Sequence, residues 1–195
     1  KVELINDFAV LIYGIPFLKS DQFKTIQNNT NKNSNFEGYH TFVGAGTGLG
    51  ISRGIVSKSK IFVLPSEGGH IEFAPKTNEE WELKQWIKNY LNIERVSYER
   101  IISGEGLSNI AKWKFYKEDI KDHQFNQFIL EAEESNTVEN DLPRKICQLA
   151  KEGDPLMSRI EKLWFDAYSS FIGDLALHEL CFGGLWISGG TAPKH

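Results

Sequence analysis

Seven residues, Gly44-Ala45-Gly46-Thr47-Gly48-Leu49-Gly50, put four glycines and a hydroxyl into one short stretch. A turn of that composition exposes backbone N–H groups and a threonine hydroxyl in a concave nest suited to phosphate oxygens. It is not a dinucleotide fingerprint. There the third glycine falls elsewhere and a helix follows, whereas Ile51-Ser52-Arg53-Gly54-Ile55-Val56 reads as strand. It is not a P-loop either, because the chain has no Gly-Lys pair. A plain tight turn is the alternative, but four glycines exceed what a hairpin needs, so phosphate binding is the expected use.

Ser66-Glu67-Gly68-Gly69-His70 sets a carboxylate and an imidazole three residues apart, with glycines between them that would let both side chains turn toward one ligand. A satisfied structural histidine is the other reading of His70. His70-Ile71-Glu72 fits the H-x-E of zinc deaminases, but no P-C-x-x-C accompanies it. His178-Glu179 has no partner histidine for HExxH, so no resident metal is expected. Asn6-Asp7 after a strand-like start is an N-cap candidate, and Gly189-Gly190 after a strand is at least a turn.

Positioning such groups takes a mixed framework. Asn6 to Leu18 reads as an apolar helix, and Tyr39–Val43 with Gly50–Val56 as a β-hairpin around the glycine turn. Asn28 to Asn35 reads as a flexible surface excursion whose sequon, Asn28-Asn29-Thr30, is a chance match. Ile61–Leu64 reads as a short buried strand. Thr77 and Glu80 form a capping box ahead of a helix with Leu83, Trp86, Ile87, Tyr90 and Leu91 on one face. Leu107, Ile110, Ala111 and Phe115 mark another helix, and residues 117–141 are expected to be loop with some helix. Pro143 opens a helix that Gly153 stops, and Asp154-Pro155 caps the longest one. A last strand returns at Gly184–Ser188. The expected class is α/β or α+β in one body.

The chain has 195 residues, 41% of them hydrophobic and 25% charged, with net charge −4. These values fit a folded domain and exclude collagen-like or disordered chains. No apolar run approaches the length of a spanning helix and no Lys/Arg stripe exists, so neither membrane nor nucleic acid is an expected partner. The two cysteines, Cys147 and Cys181, are expected to be inert core thiols of a cytoplasmic protein. The helix around Phe171-Ile172-Gly173 could pack in the core or against a second copy in a homodimer. The start at Lys1-Val2-Glu3-Leu4-Ile5 and the close on a glycine-rich turn suggest a fragment of a longer protein.

Taken together, Asn6-Asp7-Phe8, the Gly44–Gly50 turn, Glu67-Gly68-Gly69-His70-Ile71-Glu72-Phe73-Ala74-Pro75, Ser97-Tyr98-Glu99-Arg100-Ile101-Ile102-Ser103-Gly104-Glu105-Gly106-Leu107 and Ser188-Gly189-Gly190-Thr191-Ala192-Pro193-Lys194 resemble bacterial-type glucokinase. The resemblance runs in order along the whole chain. Ser66 and Glu105 depart from it, standing where glycine and proline are commoner.

The resemblance implies an α/β fold of the actin-like ATPase (ribonuclease H-like) type, a mixed β-sheet flanked by helices. The chain would be most of the large C-terminal domain, without the small N-terminal domain or the C-terminal end. The implied reaction is ATP-dependent phosphorylation of D-glucose to glucose 6-phosphate, with the fragment alone inactive. Asp7 would be the catalytic base, Asn6 would bond the sugar beside it, and Glu67, His70 and Glu99 would hold the other hydroxyls. Gly44, Gly46, Thr47 and Gly48 would meet the ATP phosphates, with Mg²⁺ bound to the nucleotide, and Gly189 and Gly190 would lie near the adenosine. The chemistry is coherent, since a sugar hydroxyl needs a carboxylate within hydrogen-bond reach to accept its proton. The alternatives are a sugar-binding or regulatory module without kinase activity, and a kinase for another hexose or another phosphoryl donor.

Overall fold

The computed structural model describes residues 7–27, 36–134 and 141–190. Asn6, the whole Asn28–Asn35 excursion and the Thr191–Lys194 end of the last motif lie outside the described residues. The chain divides into two compact units. The first draws on the residues up to Gly44, on Gly50–Gly68 and on the segment from Asp174 onward; the second is Ala45–Leu49 with Gly69–Gly173.

The first unit is built on a four-stranded mixed sheet in the order β3-β2-β1-β4. The expected hairpin is there as β1 (Gly38–Ala45) and β2 (Leu49–Val56). Strand β3 (Ile61–Leu64) pairs antiparallel with β2, and β4 (Gly184–Ser188) pairs parallel with β1, Gly44 lying opposite Ser188. Helix α1 (Asp7–Gly14) and a 3₁₀ turn (Ile15–Phe17) lay Ile12 and Ile15 into a core with Phe42 and Val56. Gly54 makes room for Ile12, whose Cγ2 would be 2.5 Å from a Cβ there. Trp186 stacks on Phe42 at 5.6 Å and donates its indole N–H to Nδ1 of the buried His40 (3.1 Å). The expectation of a buried β3 is corrected. It is an edge strand, with Phe62 53% and Leu64 41% exposed, because an apolar run does not reveal whether a neighbour covers it.

The second unit is helical: α2 (Asn78–Tyr90), α3 (Glu99–Ile102), α4 (Gly104–Lys117), α5 (Gln124–Glu134), α6 (Leu142–Lys151) and most of α7 (Pro155–Glu179). The α2 capping box forms as expected, Glu80 N–H donating to Thr77 Oγ1 (3.1 Å) and Thr77 N–H to Glu80 Oε2 (3.2 Å). Leu83 and Ile87 of the expected face are fully buried, while Tyr90 at its edge is exposed and stacks on Trp86 at 4.5 Å. Helix α4 is buried from Gly106 to Phe115, including Lys112 and Lys114. Lys114 is held by Glu79 (2.5 Å), as a buried charge requires. Phe171 packs in the core against Tyr98. Both cysteines are only half-buried, which corrects the core-thiol expectation.

Asp154 starts α7 as its composition demands. Its Oδ1 accepts from the N–H groups of Leu156 and Met157, both at 3.0 Å, and its Oδ2 meets His123 Nε2 at 2.9 Å. Burial opposes the charge, but the Met157 amide, the His123 ring and the Leu156 amide outweigh it and hold the carboxyl below the usual aspartate range. Such a group contributes stability that is complete above the unfolded pKa of about 3.9 and lost as pH falls through the lower folded value. Asp154→Ala therefore costs about 0.5–2 kcal/mol near neutral pH, and the difference closes in acid. Urea unfolding at the two pH values checks this; a gap of equal size in acid would show that the ionised cap is not the cause.

Candidate active site

His70 and Glu99 are far apart in sequence and are brought together by a short antiparallel ladder. Phe73 N–H donates to Val96 O (2.8 Å), Tyr98 N–H donates to Ile71 O (3.0 Å), and Glu72 bridges to Ser97. Just beyond that bridge the chains bring His70 and Glu99 together, with their Nδ1 and Oε1 atoms 3.6 Å apart. Two groups at this spacing can both reach one hydroxyl oxygen at about 2.8 Å from each. Apolar Ile101 and Ile102 of α3 are fully buried, which anchors the helix whose first residue is Glu99.

The same unit holds the tip of the glycine turn. Gly46 N–H closes the turn on Gly48 O (2.8 Å), and Leu49 N–H donates to Glu99 Oε2 (2.9 Å). These two amides are committed internally, so the nest is smaller than its composition suggests. The Thr47 and Gly48 amides make no hydrogen bond among the described residues, and Thr47 is exposed. The 3₁₀ turn Gly68–His70 lies close to β2: a Cβ on Gly69 would strike Leu49 O. Close approach, and not freedom to turn, is therefore what requires glycine at position 69.

In the first unit, Asp7 is the exposed first residue of α1, its Oδ1 accepting from Phe8 N–H (2.9 Å). The Phe8 ring occupies the space left by Gly44 and Gly50. A Cβ on Gly44 would lie 2.7 Å from Phe8 Cζ and 2.8 Å from Ser188 O, and a Cβ on Gly50 would overlap the ring. The glycines thus seat Phe8, and with it Asp7, on β1 and β2. The β1–β4 register places Gly44 beside Ser188 and so next to Gly189, whose φ of +96° suits glycine. Gly189 and Gly190 are exposed.

Glu67, also exposed, follows β3 and Pro65. Arg53 donates to Pro65 O (3.3 Å) and pairs with Glu179 (3.5 Å), which also accepts the Tyr39 hydroxyl. Burial first, then Glu179, pushes that phenol up to about 12, so Tyr39 stays a donor. Phe8 and Arg53 act on the site through neighbours, and the sequence reading gives neither a role. Among the described residues no three His, Cys, Asp or Glu side chains gather as a metal site, and no helix is long and apolar enough to cross a membrane.

The family model for glucokinase matches residues 1–195. A glucokinase of Synechocystis is 36% identical over all of this chain and 56% of its own length, and one of Trichormus variabilis is 34% identical over 99% of the chain and 57% of its own. The chain thus spans little more than half the length of these relatives. The crystal structure of a glucokinase from an Antarctic psychrotroph superposes with a TM-score of 0.73 at 28% identity, over 97% of this chain and 53% of that one. The mixed sheet and its helices are those of the actin-like ATPase fold shared by these enzymes. A match along the full sequence, on a backbone that follows a solved member over nearly its whole extent, makes this chain a member of the glucokinase family.

Proposed function

We propose that the intact protein transfers the γ-phosphoryl group of ATP to the 6-hydroxyl of D-glucose, and that these residues form most of its larger domain. The observation that supports this best is the cross-ladder pair His70–Glu99, joined through Glu99 to the glycine turn. His70 donates to and Glu99 accepts from neighbouring ring hydroxyls, with Glu67 and Asn6 completing the set. Charge-assisted bonds of this kind are each worth about 1.5–3 kcal/mol, and an analogue lacking a hydroxyl leaves a carboxylate unpaired. Asp7 accepts the proton of the 6-hydroxyl.

The Thr47 and Gly48 amides and the Thr47 hydroxyl fit phosphate oxygens, with Gly44, Gly46, Gly189 and Gly190 allowing the nucleotide close approach. Mg²⁺ carried by the β- and γ-phosphates offsets their charge. An acidic chain can therefore hold ATP without a lysine cluster. ADP release from Mg-ATP by the intact protein, with and without glucose, tests the reading. Release that depends on glucose, and is absent from the isolated 195 residues, is the expected result. No release from folded intact protein would overturn it, and glucose binding by calorimetry would then identify a sugar-binding module. Mannose, galactose and N-acetylglucosamine in the same assay define the epimer choice.

A further inference from the structure

The Glu99 carboxylate is shared between two jobs. Oε1 faces His70 at 3.6 Å, while Oε2 accepts Leu49 N–H at 2.9 Å, at the exit of the glycine turn. Gly48 lies so close that a Cβ there would be 2.6 Å from the same Oε2. The entry of the turn is held from the same segment: Gly104 N–H donates to Gly46 O (2.8 Å), and Ser103 Oγ donates back to Glu99 O (2.6 Å). One short stretch, Glu99 to Gly104, therefore grips both ends of the turn that presents the Thr47 and Gly48 amides.

We infer that Glu99 is a positioning residue for the phosphate turn as well as a hexose ligand, and that it couples the two sites with positive sign. The inference rests on the function proposed above. A carboxylate has two oxygens that move together, so fixing one orients the other. Sugar hydroxyls donating to Oε1 hold Oε2 on the Leu49 amide. A turn fixed at both ends presents its outward amides at a set spacing, which lowers the ordering cost that nucleotide phosphates meet on binding. By linkage, nucleotide then tightens hexose by the same factor.

Calorimetry on the intact protein, with D-glucose and the Mg²⁺ complex of a non-hydrolysable ATP analogue, reads this directly. Saturating glucose should tighten the analogue by at least about fivefold. The near-isosteric Glu99→Gln variant should weaken the analogue even without sugar and bring the coupling close to one. Amide exchange of Leu49 in the unaltered protein gives a readout free of any variant, and glucose should slow it. The inference is overturned if wild-type protein binds both ligands independently. It is equally overturned if Glu99→Gln weakens glucose alone with coupling intact, or if glucose leaves Leu49 exchange unchanged. Binding of neither ligand would instead remove the functional reading on which it rests, and the inference with it.

Discussion

Replacing Asp7, the proposed base, with asparagine in the intact protein is expected to lower kcat by about 10²- to 10⁴-fold, the usual worth of a positioned general base. Asparagine keeps the shape and the Oδ1 acceptor that meets Phe8 N–H, so the start of α1 is preserved. What it removes is the negative charge and the basic lone pair. Glucose affinity changes much less, by up to about tenfold, because one charge-assisted bond becomes a neutral one. The contrast between a large kcat effect and a small affinity effect separates three roles. A residue that only caps α1 would alter stability and leave both constants alone. A pure sugar ligand would alter affinity, with kcat following only weakly. The seat of Phe8 on Gly44 and Gly50 gives Asp7 its fixed place, since α1 cannot slide along the sheet without driving the ring into β1 or β2. Proximity held in this way accounts for much of the rate in phosphoryl transfer, where the protein does little covalent chemistry.

Much of this arrangement was readable from residue types. The hairpin followed from apolar runs flanking Gly44–Gly50, α2 from Thr77 and Glu80, and α7 from Asp154-Pro155, each a local signal with a local cause. The bridge that brings His70 to Glu99 has only a faint sequence signal. His70-Ile71-Glu72-Phe73 and Val96-Ser97-Tyr98-Glu99 both alternate polar and apolar residues. Each is too short to stand out as a strand, and α2 lies between them, so their pairing depends on a chain reversal that no local rule supplies. Helix α5 was blurred by its charged surroundings, though Phe125, Ile129 and Ala132 bury a face at helical spacing. Glycine at position 69 answers to a neighbouring carbonyl and not to a need for freedom to turn, which only the folded chain reveals.

Trp164→Ala is expected to cost about 3–5 kcal/mol, a large share of the roughly 5–15 kcal/mol that holds a protein folded. Trp164 lies on α7, 1% exposed, with Tyr168 and Phe165 rings against it. Its indole N–H donates to Ser103 O (3.1 Å); Ser103 Oγ holds Glu99 O, and the next residue, Gly104, donates to Gly46 O of the glycine turn. Trp164→Phe separates ring from bond. Ser103 O also accepts from Leu107 N–H (2.9 Å), so losing the indole donor does not leave it unpaired. The bond itself is then worth only about 0.5–1.5 kcal/mol, and the phenylalanine variant should retain most of the stability. Urea unfolding of the intact protein, with the slope of each transition compared, ranks the two variants. A phenylalanine variant as unstable as the alanine one would mean that the indole bond, and not the packed ring, holds the Ser103 segment in place. The expected order, alanine far below phenylalanine, makes the ring the prop: α7 supports the site chiefly by filling the volume behind Ser103, and the hydrogen bond sets the direction in which that support is applied.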